Sequence, residues 1–238
     1  MSAATAIQAP PLLEARGLSA GYGGRAAVRE LDLHVAPGEV VALLGANGAG
    51  KTTTILTLAG ELEPLAGEVH WRGEARKASL TSRARTGLSL ITEERSVFMG
   101  LTVAENLRLG RGAPDAALEL FPELEEHLAR RVGLLSGGQQ QILAVARALA
   151  ARPEVLLADE LSLGLAPLVV QRLLAAVRKA ADEGVGVLLV EQQVRKALEI
   201  ADRVCVLQRG RLVLQGTSEE LRGRMDEVEQ SYLAGPVG

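Results

Sequence analysis

A chain of 238 residues with 47% hydrophobic content has the apolar material for one sizeable core and reads as a single α/β unit. Its 26 basic against 29 acidic residues and its aromatic content of 2% lack the basic surface and the stacking platforms of a nucleic-acid binder, so no nucleic-acid partner is expected. Cys205 is the only cysteine, which excludes an intrachain disulfide or a cysteine metal cluster and marks it as a buried small hydrophobe.

Residues 1–11 show neither the basic start nor the apolar block of a signal peptide and read as a disordered tail ahead of one domain over 12–238. Apolar runs such as 155–158 and 185–190 fall far short of the roughly 18 residues a membrane span needs, so a cytoplasmic chain that crosses no membrane is expected. Strand-like and helical segments alternate as in a mostly parallel sheet with crossover helices. A strand over 39–44 runs into a glycine-rich loop, and the next helix, about 51–59, stops at Gly60. The polar stretch of about 94–134, interrupted by Gly110, Gly112, Pro114 and Pro122, reads as a small helical insert. Ile142, Leu143, Val145, Ala146 and Leu149 recur at helical spacing in a helix over 139–151 that Pro153 closes. A buried strand over 155–158, a helix of about 168–181 and a strand over 185–190 form a βαβ unit; strands 204–207 and 211–214 around Arg209-Gly210 read as a hairpin. No fixed-period repeat or low-complexity segment interrupts this order.

Gly45-Ala46-Asn47-Gly48-Ala49-Gly50-Lys51-Thr52 fits G-x-x-x-x-G-K-[ST], between a strand and a helix as that loop requires. Its glycines let successive main-chain N–H groups turn inward, and the helix start adds a field that favours an anion. A triphosphate is the natural guest: Lys51 neutralises the β and γ phosphates, Thr52 ligates Mg²⁺, and Thr53 donates to the α phosphate.

Asp159 and Glu160 follow the apolar run 155–158, just past a strand end, on the edge of a parallel sheet where ligands bind. Asp159 is placed to hold Mg²⁺ through water, and Glu160 is the candidate general base for an attacking water; solvated strand-end acids are the alternative. Ser136-Gly137-Gly138-Gln139 opens another helix and makes a second anion-binding start, which one triphosphate cannot share with the first. Either it covers a γ phosphate bound by another subunit, or it is a plain helix cap.

The phosphate loop, the Leu135–Gln139 segment and the Asp-Glu pair stand in an order that resembles the ATP-binding cassette (ABC) family from about Leu12 to the C-terminus. The resemblance implies a P-loop NTPase (RecA-like) core, about 12–93 and 152–238, with an antiparallel β subdomain and a helical subdomain of about 94–151. It also implies a head-to-tail dimer, each ATP held between one subunit's phosphate loop and the other's Ser136–Gln139 loop. Tyr22, just before the first strand pair, matches the aromatic that stacks on adenine. Three positions depart from the family pattern: Glu93 stands for a glutamine that couples nucleotide to membrane partner, Gln192 for a histidine that senses the γ phosphate, and Ala166 for an aspartate. Gln192 still hydrogen-bonds phosphate and water but carries no positive charge, so slower hydrolysis is expected.

These departures, with the 162–167 run, Val190-Glu191-Gln192 and Ser231-Tyr232-Leu233, resemble one of the two ATPases of branched-chain amino acid importers, although Leu161 stands where those proteins mostly have proline. The implied partners are a second ABC ATPase subunit, identical or different, two transmembrane permeases and an extracytoplasmic solute-binding protein. The chain would then lie peripherally at the cytoplasmic face of the membrane, touching it only through the permeases, whose contact residues about 94–110 shape. The alternatives are a urea or amide importer ATPase, a non-transport ABC ATPase, and a regulator that binds ATP without turnover. Glu160 opposes the last, and the chain lacks the coiled-coil insert, tandem cassette or basic patch expected of a non-transport ABC ATPase.

Overall fold

The computed structural model describes residues 10–75, 77–94 and 96–233, so most of the expected 1–11 tail lies outside the described residues. Two sheets build the chain. The first is antiparallel, in the order β2-β1-β4-β5, from β1 (Leu13–Tyr22), β2 (Arg25–Val35), β4 (Ala66–Trp71) and β5 (Glu74–Ala75). Tyr22 pairs with Arg25 as the last residue of β1, so it stands inside the first hairpin and not ahead of it, because β1 keeps its register to the turn.

The second sheet runs β10-β9-β3-β8-β7-β6, from β3 (Val40–Leu44), β6 (Leu88–Ile91), β7 (Val155–Asp159), β8 (Gly186–Glu191), β9 (Arg203–Gln208) and β10 (Arg211–Thr217). All but β10 are parallel to their neighbours; β10 returns antiparallel from β9, giving the expected hairpin. Every residue of β3, β7 and β8 is buried, as befits central parallel strands covered on both faces. Alternation along the strands decides the layer. Val40, Ala42, Leu44, Leu156 and Ala158 enter one core, while Val41, Leu43, Val155, Leu157 and Cys205 enter the other.

The first core is roofed by α3 (Val103–Arg108), α4 (Pro114–Leu120), α5 (Gly137–Ala150) and α6 (Pro167–Asp182), with Phe121, Leu124, Leu143 and Val145 packed into the sheet. The helical segment therefore shares one core with the strands. The second core lies beneath the antiparallel sheet and takes Ile55 and Leu58 of α1 (Lys51–Ala59). The remaining helices are α2 (Leu80–Arg85), α7 (Val194–Ile200), α8 (Ser218–Arg222) and α9 (Met225–Leu233). Burial lifts the Cys205 thiol to about 11, consistent with an inert core residue.

Three sequence expectations need correction. α5 starts at Gly137, two residues ahead of the 139–151 span but where the Ser136 opening puts it, because Ser136 and Gln139 close a capping box around its first turn. Asp159 is the final residue of β7, paired with Val190, and not a residue beyond the strand. Pro114 and Pro122 begin a helix and a 3-10 turn instead of interrupting one, since the first turn needs no proline N–H. No helix among the described residues is long and apolar enough to cross a membrane.

Candidate functional site

Parallel pairing gathers the site. Leu44 sits opposite Glu191, Asp159 opposite Val190, and Ile91 opposite Ala158, so the phosphate loop, the acidic pair, Gln192 and Glu93 all emerge from one edge of the sheet. In chain order these residues are separated by long stretches; hydrogen-bond register alone makes them neighbours.

The loop leaving β3 is shaped by two close approaches. A Cβ at Gly45 would stand 2.4 Å from the Leu207 carbonyl oxygen, and one at Gly50, where φ is 107°, would stand 2.8 Å from Val28 Cγ2. Glycine is the residue that fits both. No side-chain cap covers the start of α1, which leaves its first-turn N–H groups facing the loop, as an anion site requires. Asn47 and Gly48 are exposed at the tip, Ala46 is half-buried, and Ala49 and Thr53 are buried.

Lys51 is only 5% exposed, and its Nζ donates to the carbonyls of Gly45 at 2.9 Å and Ala46 at 3.3 Å. The same ammonium is 3.7 Å from Glu160 Oε1. Glu160 adopts a left-handed backbone, φ 52°, and its N–H donates to the Val190 carbonyl at 2.9 Å. That strained turn carries the chain off β7 and aims the carboxylate back at the loop.

Asp159 is 2% exposed, and its Oδ1 has no hydrogen-bond partner. Burial pushes its carboxyl up to about 6; the Thr52 hydroxyl opposes that shift by hydrogen-bonding the carboxylate, Glu160 adds to it, Lys51 opposes it, and Glu93 adds to it. An orphaned buried carboxylate oxygen beside an exposed hydroxyl is a pair of hard oxygen donors, which fits Mg²⁺ completed by phosphate oxygens. Among the described residues no cluster of three or more His, Cys, Asp or Glu side chains can hold a metal by itself.

Of the other expected site residues, Glu93 is exposed just past β6, Gln192 is half-buried just past β8, and Tyr22 is 56% exposed. Ser136 to Gln139 are not joined to the phosphate loop by any hydrogen bond or ion pair among the described residues. The Ser136 hydroxyl accepts from the Gln139 N–H at 3.2 Å, Gln139 Oε1 accepts from the Ser136 N–H at 2.9 Å, and Gln139 Nε2 lies 2.7 Å from His127 Nε2.

Asn106 was not legible from sequence. Fully buried, it donates to the Phe98 and Thr102 carbonyls, 3.0 Å each, and accepts from the Phe98 N–H at 2.9 Å. It thereby holds a loop on which Phe98 and Met99 stand 54% and 47% exposed. Thr102-x-x-Glu105, a capping box just ahead of Asn106, is the local signal that places it on a helix.

The family model described as ABC transporter matches residues 28–162. The chain is 40% identical over 228 residues to the high-affinity branched-chain amino acid transport ATP-binding protein BraG of Pseudomonas aeruginosa, covering 92% of this chain and 97% of that one. It is 35% identical to the lipopolysaccharide export system ATP-binding protein LptB of Escherichia coli, covering 93% and 96%. A solved structure of an ATP-binding subunit of an ABC transporter superposes with a TM-score of 0.80 at 29% identity, over 93% of this chain and 98% of that one. With a phosphate loop, an acidic pair and a sheet edge that bring them together, the chain belongs to the ABC transporter family as one of its ATP-binding, ATP-hydrolysing subunits.

Proposed function

We propose that this ATPase energises an importer for branched-chain amino acids, acting at the cytoplasmic face of the membrane through separate permeases and fed by an extracytoplasmic solute-binding protein. The observation that carries the solute class is the 40% identity to BraG over nearly the whole of both chains. The more distant LptB belongs to a lipopolysaccharide export system, and on this reading the permeases set the solute.

In the site, the N–H groups at the start of α1 and the Lys51 ammonium bind and orient the triphosphate, with Gly45 to Gly50 wrapped around it and Thr53 beside the α phosphate. Thr52 and Asp159 would hold Mg²⁺, which when bound supplies positive charge to the phosphate oxygens. Glu160 accepts the proton of the attacking water, while Glu93 and Gln192 orient that water and the γ phosphate from either side. Tyr22, exposed at the end of β1, offers a face for adenine.

The first-turn N–H groups of α5 and the Ser136 hydroxyl suit the γ phosphate of a second, like-folded subunit, which supports a head-to-tail dimer. The exposed Phe98 and Met99, on the loop that Asn106 clamps, support a permease contact close behind Glu93. Uptake of radiolabelled leucine, isoleucine and valine, compared with urea and short amides, in cells carrying the wild-type chain or Lys51→Ala tests the reading. Uptake of the branched-chain amino acids that depends on Lys51 supports it; Lys51-dependent uptake of urea or amides alone replaces the solute class.

A further inference from the structure

Glu191 is a buried carboxylate with no basic partner among the described residues. It is the last residue of β8, 1% exposed, and it lies in register with Leu44, the residue that precedes the phosphate loop. Both its oxygens are taken by Ser162, also buried: Oε1 accepts from the Ser162 N–H at 3.1 Å and Oε2 from the Ser162 hydroxyl at 2.6 Å. The N–H of Gln192 turns toward the same carboxylate, and the Glu160 carboxylate is close enough to repel it.

Burying a carboxyl without a basic partner is unfavourable where an apolar side chain at the same place would not be. The site therefore carries a buried carboxyl, its pKa raised by burial, that is held only by hydrogen-bond dipoles between the two elements that carry Glu160 and Gln192. Ser162 follows Glu160 by two residues, and Gln192 follows Glu191 directly, so one carboxylate spans the chain on both sides of the proposed reaction centre. The Glu160 N–H to Val190 carbonyl bond stitches the same two strand ends one position earlier.

We infer that Glu191 is a positioning residue for ATP hydrolysis, bracketing Ser162 and Gln192 so that the Glu160 carboxylate and the Gln192 amide keep a fixed separation across the nucleotide. The inference rests on the nucleotide-site reading above. It predicts an effect on turnover without an effect on nucleotide binding, since neither Glu191 nor Ser162 lies on the phosphate loop.

The test measures kcat in the assembled transporter and MgATP affinity on the full chain. Glu191→Ala lowers kcat about tenfold or more, the usual scale for a group that orients a catalytic side chain, with affinity held within about twofold. Ser162→Ala lowers kcat by about threefold to tenfold, and the double alanine variant is no slower than Glu191→Ala. Glu191→Gln keeps one oxygen for the Ser162 N–H and offers an amide to the hydroxyl, and restores kcat to within about threefold of wild type. Unchanged kcat, additive losses, affinity falling in step with kcat, or Glu191→Gln as slow as the alanine variant would each overturn the inference. If Glu191→Ala does not fold, Ser162→Ala and Glu191→Gln decide it. Failure of the wild-type chain to bind MgATP would instead strike the nucleotide-site reading itself.

Discussion

Lys51 Nζ stands 3.7 Å from Glu160 Oε1, with the two side chains 5% and 11% exposed. The lysine that would bind phosphate and the carboxylate that would polarise water thus hold each other where solvent screens them poorly. On the proposed reading, an incoming γ phosphate would compete with Glu160 for the same ammonium and free the carboxylate, so that the two roles would be engaged in sequence.

Glu160→Gln removes that competition and the base together. Turnover is expected to fall about 100-fold or more, with ATP affinity equal to wild type or slightly tighter. Lys51→Ala is expected to lose affinity instead, by about tenfold or more. Phosphate release and nucleotide titration on the same preparations separate the two; unaltered hydrolysis in Glu160→Gln removes that residue from its role.

Asp159 gives a pH signature whose sign is fixed by its environment. Its carboxyl is raised from 3.8 to about 6, so between those values the folded chain binds more protons than the unfolded one. That contribution to stability is complete below about 3.8 and is lost as pH rises through about 6, leaving an unfavourable buried anion at pH 7. Asp159→Asn should therefore raise Tm at pH 7, without nucleotide or Mg²⁺, by roughly 2–5 °C, and by less at pH 5. In the wild-type chain the proton competes with the cation, so the Mg²⁺ dependence of ATP binding should weaken below about pH 6 and vanish in Asp159→Asn. Thermal scans and titrations across pH 5–8 check both.

Ser136→Arg places a long cation at the exposed start of α5. Transport by the assembled machine is expected to fall about tenfold or more, while the chain's own ATP affinity stays within about twofold, because the disturbed phosphate belongs to another subunit. Uptake and nucleotide titration are the paired readouts; equal loss of the chain's own binding would contradict a shared site.

Asn106→Leu keeps the branching at Cγ in a larger, apolar side chain and strands the Phe98 N–H, while the Phe98 and Thr102 carbonyls keep only the Leu101 and Asn106 backbone N–H groups as donors. A loss of about 2–4 kcal/mol in urea unfolding is expected. Phe98→Ala, at an exposed side chain, should change stability by less than about 0.5 kcal/mol yet weaken co-purification with the permeases. A stability loss confined to Asn106→Leu and a partner loss shared by both variants would support that loop as the docking surface.

The phosphate loop and the Asp-Glu pair were legible because their chemistry is local. A glycine-rich turn that must bend between a strand and a helix, and an apolar run ending in acids, are each set by residues adjacent in the chain. The boundaries that slipped lie where distant partners act. Pairing with Val190 draws Asp159 into β7, and the reciprocal Ser136–Gln139 cap lengthens α5. Asn106 and Glu191 look like ordinary polar residues in the sequence because their partners, Phe98 and Ser162, lie in other elements.

The sequence by itself determined which groups can grip a triphosphate and where the chain turns, since steric limits on φ and ψ and the spacing of apolar side chains act within a few residues. Only the tertiary structure decided how Lys51, Asp159, Glu160 and Gln192 are arranged along one edge of the sheet and that Glu191 bonds Ser162 between two of its strand ends. The parallel register of β3, β8 and β7 sets those distances, and register is a long-range compromise among whole strands packed on both faces, which no short segment encodes.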